Sequence, residues 1–359
     1  MLYQVEIPDS AMFRKTLGLL FTSALCGFNF VPAMEAEEKG PHVFSAIEEN
    51  DYLNKPWEKH QDRHYTQGLK FIYLDGSEAA PWWARGVGLS KLNEKLPSLW
   101  METKTANYGL LFGQNIYTPE NNTVTNLITS DRPYGGWMYL GAGFQRQGVV
   151  AGHIPVLESF ELDLGVVGPE AQGGRSQNEV HQLEKIPSFG GWGNQIKTEP
   201  AFVFKYGRAW KFAFNEGSSH YFDVIPNIGA NLGTIMVSGN MGVTTRLGFN
   251  LPDDFGVQMI DSPILLSNGK HYGPIGFYIF GQVEGRAVGR NIFLDGNTYK
   301  SSFHVEKKPL VGDLIYGAVL TAGKHFEASW TFVTRTSEFE GQRGNDRFGS
   351  VAAKLKWGF

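Results

Sequence analysis

Cysteine is nearly absent from this sequence of 359 residues, in which Cys26 stands alone. That residue lies in an apolar segment near the N-terminus, so the rest of the chain contains no thiol. Small exported proteins commonly depend on disulfides for stability, and this chain has none to form. If the chain is exported, another constraint must hold its fold together, and a closed barrel of hydrogen-bonded strands would supply one.

Charge is also scarce, and neither sign dominates. Lys and Arg together number 32 and Asp and Glu number 36, which gives a formal net charge of −4. Proteins that bind nucleic acids generally present a basic face, because much of their affinity comes from neutralising phosphates. The composition therefore argues against a nucleic-acid partner.

Long apolar runs are missing from the chain beyond residue 33. A helix that crosses a bilayer needs about 20 consecutive apolar residues. Any membrane span in this part of the chain must therefore be built from β-strands, and such strands have to close into a barrel so that no backbone group is left without a partner.

The N-terminal segment has the features of a secretory signal peptide. Arg14 and Lys15 precede an apolar run over 17–31, and the small residues of a VPA sequence follow it. The run is short for a membrane anchor. We therefore predict that residues 1–33 are a cleaved signal peptide, with Met12 as a plausible true start.

Aromatic residues and glycine are abundant, with 26 Phe, 14 Tyr, 9 Trp and 44 Gly. The C-terminal GSVAAKLKWGF alternates between apolar and polar positions, so that Leu355, Trp357 and Phe359 fall on one face and Lys354 and Lys356 on the other. Alternation with period two predicts a strand with one apolar face, as in lipid-exposed barrels. A soluble antiparallel sheet would give a similar pattern, but the signal peptide and the aromatic content favour the membrane.

The predicted fold of residues 34–359 is accordingly an all-β transmembrane antiparallel β-barrel of about twelve strands, with a short helix in an outer loop. The predicted strands are 42–50, 66–74, 105–114, 136–146, 158–167, 198–214, 220–230, 234–248, 275–286, 310–322, 325–335 and 347–359. An even number is typical of bacterial barrels. If both termini are periplasmic, the linkers 75–103 and 249–274 face the periplasm, where turns are normally short.

Polar motifs are concentrated in the connections that this arrangement places outside the cell. The first strand ends in END, with Asn50 and Asp51, and the second begins near Thr66. The third outer connection contains QNEVHQL, in which Gln177 and His181 are spaced i, i+4 and would share one face of a short helix. Taken singly, an Asn-Asp pair is more often a turn former, a histidine in a loop is more often a solvated bystander, and the Asp-Arg pairs are more often salt bridges.

Together the motifs resemble a known family. END, DRHYTQGL, IYTP, DRPYGGW, GPEA, QNEVHQL and GWGNQ follow one another in this order between residues 49 and 195. This set is similar to that of the outer-membrane lipid A 3'-O-deacylases, the LpxR-type barrels. The resemblance implies a twelve-stranded barrel whose active site lies between the wall and a helix from an outer loop.

The resemblance also implies a mechanism and a set of site residues. His181 would be the general base and Asp51 the carboxylate that binds a calcium ion, while Asn50, Thr66 and Gln177 would complete the catalytic site. Calcium prefers hard oxygen ligands, and a water activated by a histidine could attack an acyl ester without a serine nucleophile. The substrate would be lipid A in the outer leaflet of the bacterial outer membrane, and the protein would act as a monomer.

Two positions depart from the family's pattern. Some members have an acidic residue six positions after the histidine, where this chain has Pro187, and Glu184 lies nearby in a different register. The second outer connection, 115–131, contains no Lys or Arg before Arg132, although basic residues are expected where lipid A phosphates bind. Two alternatives remain open at this point, a non-catalytic barrel and an outer-membrane phospholipase of the Ser-His type.

The terminal alternation generates a first prediction. Deleting Phe359 should impair assembly, because the closing strand loses its last lipid-facing aromatic residue. The measurement is the amount of barrel in the outer membrane and its resistance to heat in SDS. A deleted form that matches the parent in both respects would contradict the predicted role of this residue.

Overall fold

The computed structural model of the protein describes residues 41–54, 63–77, 79–185, 187–214, 221–266 and 268–359. The predicted signal peptide lies outside these ranges. Among the described helices, none is long and apolar enough to cross a membrane.

The described residues form one antiparallel sheet of thirteen strands that closes into a barrel. Each strand pairs with the next in sequence except β6, which pairs directly with β8, and β1 pairs with β13. The strands are β1 (His42–Asn50), β2 (His64–Asp75), β3 (Glu102–Thr118), β4 (Gly135–Val150), β5 (Ile154–Val167), β6 (Glu199–Trp210), β7 (Phe212–Ala213), β8 (Phe222–Gly233), β9 (Met236–Phe249), β10 (Ile275–Asn291), β11 (Leu310–Ala322), β12 (Phe326–Arg335) and β13 (Asp346–Trp357). The predicted barrel of twelve strands is confirmed, with the two-residue β7 as an addition beside β8.

Within the described ranges, four short α-helices and three 3-10 turns lie in the connections. The helices are α1 (Trp82–Gly86), α2 (Leu89–Lys95), α3 (Gly173–Glu184) and α4 (Ile292–Asp295), and the 3-10 turns are Asp51–Leu53, Pro169–Ala171 and Gly191–Asn194. The predicted short helix around Gln177 and His181 is therefore present as α3.

The predicted alternation determines the two faces of the wall. On β13, Leu355 and Trp357 are exposed, whereas Lys354 and Lys356 are buried and point into the lumen. The Nζ of Lys354 lies 2.6 Å from a carboxylate oxygen of Glu327 on the neighbouring strand. Apolar side chains thus face outward and charged side chains are paired inside, the arrangement that a lipid-exposed barrel requires.

The two rims of the barrel differ in what they carry. His42 and Trp357 are register partners, so the first and last strands meet at one rim, which we name the terminal rim. The opposite rim, named here the loop rim, holds the connections after β1, β3, β5, β8, β10 and β12. All of the motifs that suggested chemistry lie at or near the loop rim, as the strand count predicted.

The long linker between β9 and β10 does not lie in the periplasm below the barrel, where the strand count predicted it to lie. It enters the lumen from the terminal rim and fills it, and we name residues 250–274 the plug. Leu251, Ile260, Leu265 and Leu266 of the plug are fully buried in the same apolar cluster as inward-facing wall residues. The length of this linker, which is unusual for a barrel turn, is explained by its position inside the barrel.

Glycines on the inner wall make room for the plug. Gly207 and Gly229 are register partners on β6 and β8, and Pro263 packs against both. A Cβ added to Gly229 would lie 2.4 Å from Cγ of Pro263. A side chain at either glycine would therefore force the plug away from the wall.

Hydrogen bonds and ion pairs also hold the plug. The guanidinium of Arg246 is fully buried, and its Nη2 lies 2.6 Å from a carboxylate oxygen of Asp223. The same guanidinium pairs with Asp254 at the start of the plug. Further along, the amide of Ile260 donates to Oε1 of Glu49 over 2.8 Å. Buried charges are tolerated when they are paired in this way, and removing one partner is costly.

We predict that Asp254→Asn destabilises the barrel. Arg246 would keep Asp223 but lose its second buried counter-charge, and breaking such a pair costs about 3–5 kcal/mol. The measurement is the midpoint of unfolding in urea or of heat modification in SDS. Asp253→Asn is the matched control, since its carboxylate is half exposed where it contacts Lys211, and it should change little. Equal midpoints for both variants would contradict the anchoring role of Asp254.

A candidate active site on the outer wall

Helix α3 lies against the outer face of the barrel near the loop rim. Asn115 and Trp137 line the lumen, so their neighbours Gln114 and Gly136 point outward. The Nε2 of Gln114 donates to the carbonyl oxygen of Ala171, 2.6 Å away, just before the helix. A Cβ added to Gly136 would lie 3.3 Å from the amide of Gly173, so a glycine there allows the helix to approach the wall closely.

The face of α3 that meets the wall carries the predicted residues. Gly173, Gln177 and His181 are all buried, and they are spaced four residues apart. Arg175 and Glu179 lie on the exposed side, where they form an ion pair of 2.7 Å. The prediction that Gln177 and His181 share one helix face is confirmed, and that face is turned toward the outer wall of the barrel.

His181 is held in a defined orientation. Its Nδ1 lies 2.9 Å from the carbonyl oxygen of Pro187, and because a carbonyl accepts only, Nδ1 carries the proton. The ring meets that of Phe189 edge-on, with centroids 4.6 Å apart, and the amide of Phe189 donates to Oδ1 of Asn178. In the neutral imidazole Nε2 is then the basic nitrogen. Pro187, which departs from the family's pattern, thus contributes its backbone carbonyl to the site.

Gln177 lies one helical turn before His181 and is 2 % exposed. Neither its side-chain oxygen nor its side-chain nitrogen has a hydrogen-bond partner within the described part of the chain. Buried amides are nearly always paired, so an unpaired one indicates a place where water or a ligand belongs. The side chain of Gln177 thus leaves, among the described residues, an unpaired donor and an unpaired acceptor one helical turn from His181.

The predicted residues on the first two strands form a second group. Asn50 ends β1, and its Oδ1 accepts from the amide of Tyr52 over 2.7 Å, which begins the 3-10 turn. Asp51 is the first residue of that turn and is 4 % exposed, with Oδ2 accepting from the amide of Arg63 over 2.7 Å. Asn50 therefore acts as the turn former considered above, and the turn fixes the position of Asp51.

Thr66 connects this group to the strand on which the helix lies. The register of β2 against β3 shifts between Tyr65 and Gln67, so Thr66 sits in a β-bulge. Its Oγ1 is 2.7 Å from Oγ1 of Thr118 at the end of β3. Gln114, which holds α3, lies on the same strand. Strand β3 thus stands between the Asn50–Asp51 turn and the histidine helix.

One further carboxylate belongs to this part of the wall and was missed by the sequence reasoning. Glu49 points into the lumen to the plug, so Glu48 points outward, yet it is only 8 % exposed. Its Oε1 accepts from Nε2 of Gln67 over 3.1 Å. The available signal was a glutamate at an outward position of a strand whose other outward residues include Phe44 and Ala46.

The arginines of the two Asp-Arg motifs form ion pairs that brace the rim, whereas Asp62 lies outside the described residues. Arg63 pairs with Glu120 at 2.8 Å and lies 3.4 Å from Asp346. Arg132 is 1 % exposed and pairs with Glu338 at 3.2 Å, so it is not presented to a phosphate outside the wall.

Asp131, the other member of the second motif, contacts His64 at 3.4 Å. Burial alone would raise the pKa of Asp131, but hydrogen bonds from His64 and from the amides of Glu120 and Arg132 outweigh it and hold that pKa below its usual value. Its negative charge is thereby stabilised within the rim.

Calcium would have to bind with few acidic ligands. Within the described ranges, no group of three or more His, Cys, Asp and Glu side chains is arranged to hold a metal. Asp51 is buried at the start of a turn and offers carboxylate oxygen, and neighbouring backbone carbonyls are of the ligand type that calcium accepts. A calcium ion at this position would be coordinated by one carboxylate, backbone carbonyls and water.

Together the fold and this site define a plugged transmembrane β-barrel that carries a buried, oriented histidine on the outside of its wall. The family described as Outer membrane protein LpxR matches residues 19–357. The chain belongs to this family. No match is found among curated proteins.

Solved structures agree with the family at the level of the fold. LpxR from Salmonella typhimurium is similar with 19% identity and a TM-score of 0.67, over 88% of this chain and 99% of that chain. The translocator domain of autotransporter NalP from Neisseria meningitidis aligns over 96% of each chain, but with 9% identity and a TM-score of 0.38 it supports no argument.

Proposed function

We propose that this protein hydrolyses an acyl ester of lipid A in the outer leaflet of the bacterial outer membrane. The bond cleaved is the ester that links the 3'-O-acyl chain. The proposal rests on membership of the LpxR family and on one observation, the buried His181 whose Nδ1 donates to the carbonyl of Pro187. A histidine held in this tautomer has Nε2 as its basic nitrogen, which would serve a substrate on the lipid side of the wall.

His181 would act as the general base. Its Nε2 takes a proton from water as that water attacks the ester carbonyl, and the hydrogen bond from Nδ1 to Pro187 holds the ring while it carries the positive charge. The same proton then passes to the departing alkoxide. A serine nucleophile has no part in this scheme.

Gln177 would hold the water or the ester oxygen, because its amide is buried beside His181 and lacks a partner in the described ranges. Asn50 and Thr66 would act through position. Asn50 starts the turn that presents Asp51, and Thr66 ties β2 to β3 beside the helix.

Asp51 would hold the calcium ion. A bound calcium ion supplies Lewis acidity that polarises the ester carbonyl and offsets the developing oxyanion charge. With one acidic ligand the site should be weak, with a Kd of about 10⁻⁴–10⁻³ M. The protein's own contribution is to fix the carboxylate through the amide of Arg63.

The first test replaces the base. His181→Ala should lower the rate of lipid A deacylation by about 10²–10⁴-fold, the usual contribution of general base catalysis, while the barrel remains resistant to heat in SDS. Mass spectrometry of lipid A from cells that express each form measures the product.

His153→Ala is the matched control, because His153 lies in the exposed turn between β4 and β5 at the terminal rim and should have no effect. His220, at the predicted terminal-rim end of the seventh strand, falls outside the described residues. Deacylation by His181→Ala at the parental rate would refute the base role. An unchanged rate of lipid A deacylation after treatment with serine-directed inhibitors would exclude a phospholipase of the Ser-His type.

The second test concerns the metal. Asp51→Asn keeps the shape of the side chain but removes the charge, so activity should fall and no longer respond to calcium at millimolar concentrations. Chelation of the parent should abolish turnover and calcium should restore it. Asp253→Asn, at the terminal rim, should retain the parental calcium response. Full turnover of the parent in EDTA would be incompatible with the metal role.

A further inference from the structure

The connection between β2 and β3 lies against the outer wall of the barrel and not in the periplasm beneath the terminal rim. Its helices pack over Tyr108, Phe144 and Phe160, which form one cluster with the fully buried Ala84 of α1. Tyr108 points outward because its neighbour Gly109 faces Leu265 of the plug. We name residues 80–101 the wall hairpin.

Charged side chains of the outer wall fasten the hairpin. Arg146 donates from Nη1 to the carbonyl of Leu96 over 3.0 Å, and Arg208 donates from Nη2 to that of Leu99 over 2.9 Å. Glu158 lies between the two guanidiniums, 2.6 Å from Arg146 and 3.2 Å from Arg208. An ion-pair network on a lipid-facing wall is tolerated here because the hairpin covers it.

The side of the hairpin that turns away from the wall carries aromatic and apolar residues. Trp82 is 78% exposed and Trp100 is 94% exposed, and Val87 and Leu92 are exposed as well. Leu99 and Trp100 both have positive φ, at 46° and 64°. That conformation is unfavourable for residues other than glycine, so the backbone is strained where it presents Trp100 outward.

Basic residues accompany these tryptophans. Arg85, Lys91 and Lys95 are exposed, and none of them forms an ion pair with any other described residue. The segment 80–101 contains one acidic residue, Glu94 on α2. The outer surface of the hairpin is thus amphipathic, with indole rings beside uncompensated positive charge.

The hairpin adjoins the apolar wall. Leu110, Leu162 and Leu164 are exposed on the same strands, two to four residues further from the terminal rim than Tyr108 and Phe160. At about 3.3 Å per residue, the covered positions and the exposed leucines are neighbouring levels of one surface. The hairpin therefore stands where the lipid-facing belt ends on the terminal side.

We propose that the wall hairpin binds the headgroup layer of glycerophospholipids at the terminal rim, with Trp82 and Trp100 in the interface and Arg85, Lys91 and Lys95 on the lipid phosphates. Tryptophan is enriched at membrane interfaces, and a basic amphipathic element lies in the interface plane with its charges on anionic headgroups. The interaction is independent of ester hydrolysis, which we place at the opposite rim. It would fix the depth and tilt of the barrel from the terminal side.

The charge arm of the test measures binding of phosphatidylglycerol to the detergent-purified full chain by native mass spectrometry. Replacing Arg85, Lys91 and Lys95 by Gln should weaken binding on the order of 100-fold at low salt, since each cation near an anionic surface contributes about fivefold. The matched control replaces three loop-rim cations, Lys197, Lys300 and Arg343, by Gln and should bind as the parent does. Equal affinity of the hairpin variant and the control would overturn the proposal.

The depth arm uses vesicles of phosphatidylethanolamine and phosphatidylglycerol with brominated acyl chains. The bromine should quench parental fluorescence, and the quenched signal should shrink when Trp82 and Trp100 are both replaced by Phe. Trp137→Phe, which removes an indole that lines the lumen, should leave the quenched signal unchanged. The proposal would be overturned by quenching that is the same in the parent, in the variant that lacks Trp82 and Trp100, and in Trp137→Phe. It would also be overturned by a cross-link between the hairpins of two copies that excludes lipid. Heat modification in SDS verifies that each variant is folded.

Discussion

Every backbone amide and carbonyl of a strand inside a bilayer must find its partner in another strand, and the architecture of this protein depends on that constraint. It closes the sheet through the pairing of β6 with β8 and of β1 with β13. Closure in turn divides the side chains strictly between two faces. The lumen receives charged residues such as Lys354, and the outside receives apolar ones such as Leu355.

The plug completes the interior that this division creates. Inward-facing charges need partners, and Arg246 obtains one of its two from Asp254 of the plug. Near the middle of the plug sequence, Ile260 contacts Glu49, the residue immediately before Asn50. The wall strand that carries the proposed site is therefore supported from inside by a segment that enters at the other rim.

On the outside, two additions cover polar positions of the wall. Helix α3 covers the loop-rim side of β3 and β4 and brings Gln177 and His181 against it. The wall hairpin covers the Arg146–Glu158–Arg208 network on the terminal side. Both additions cover polar positions of a surface that is otherwise largely apolar, which is how a barrel wall could hold the proposed reaction centre and the proposed lipid contact.

The sequence by itself determined the strands and the histidine helix, because alternation with period two and the i, i+4 spacing of Gln177 and His181 are local properties of the chain. Only the tertiary structure decided where the two long linkers lie. Their packing depends on residues distant in sequence, such as Gly207 and Gly229 for the plug, and no local period encodes such contacts. The same holds for the carbonyl of Pro187 on His181 and the amide of Arg63 on Asp51, since backbone partners leave no trace in residue identity.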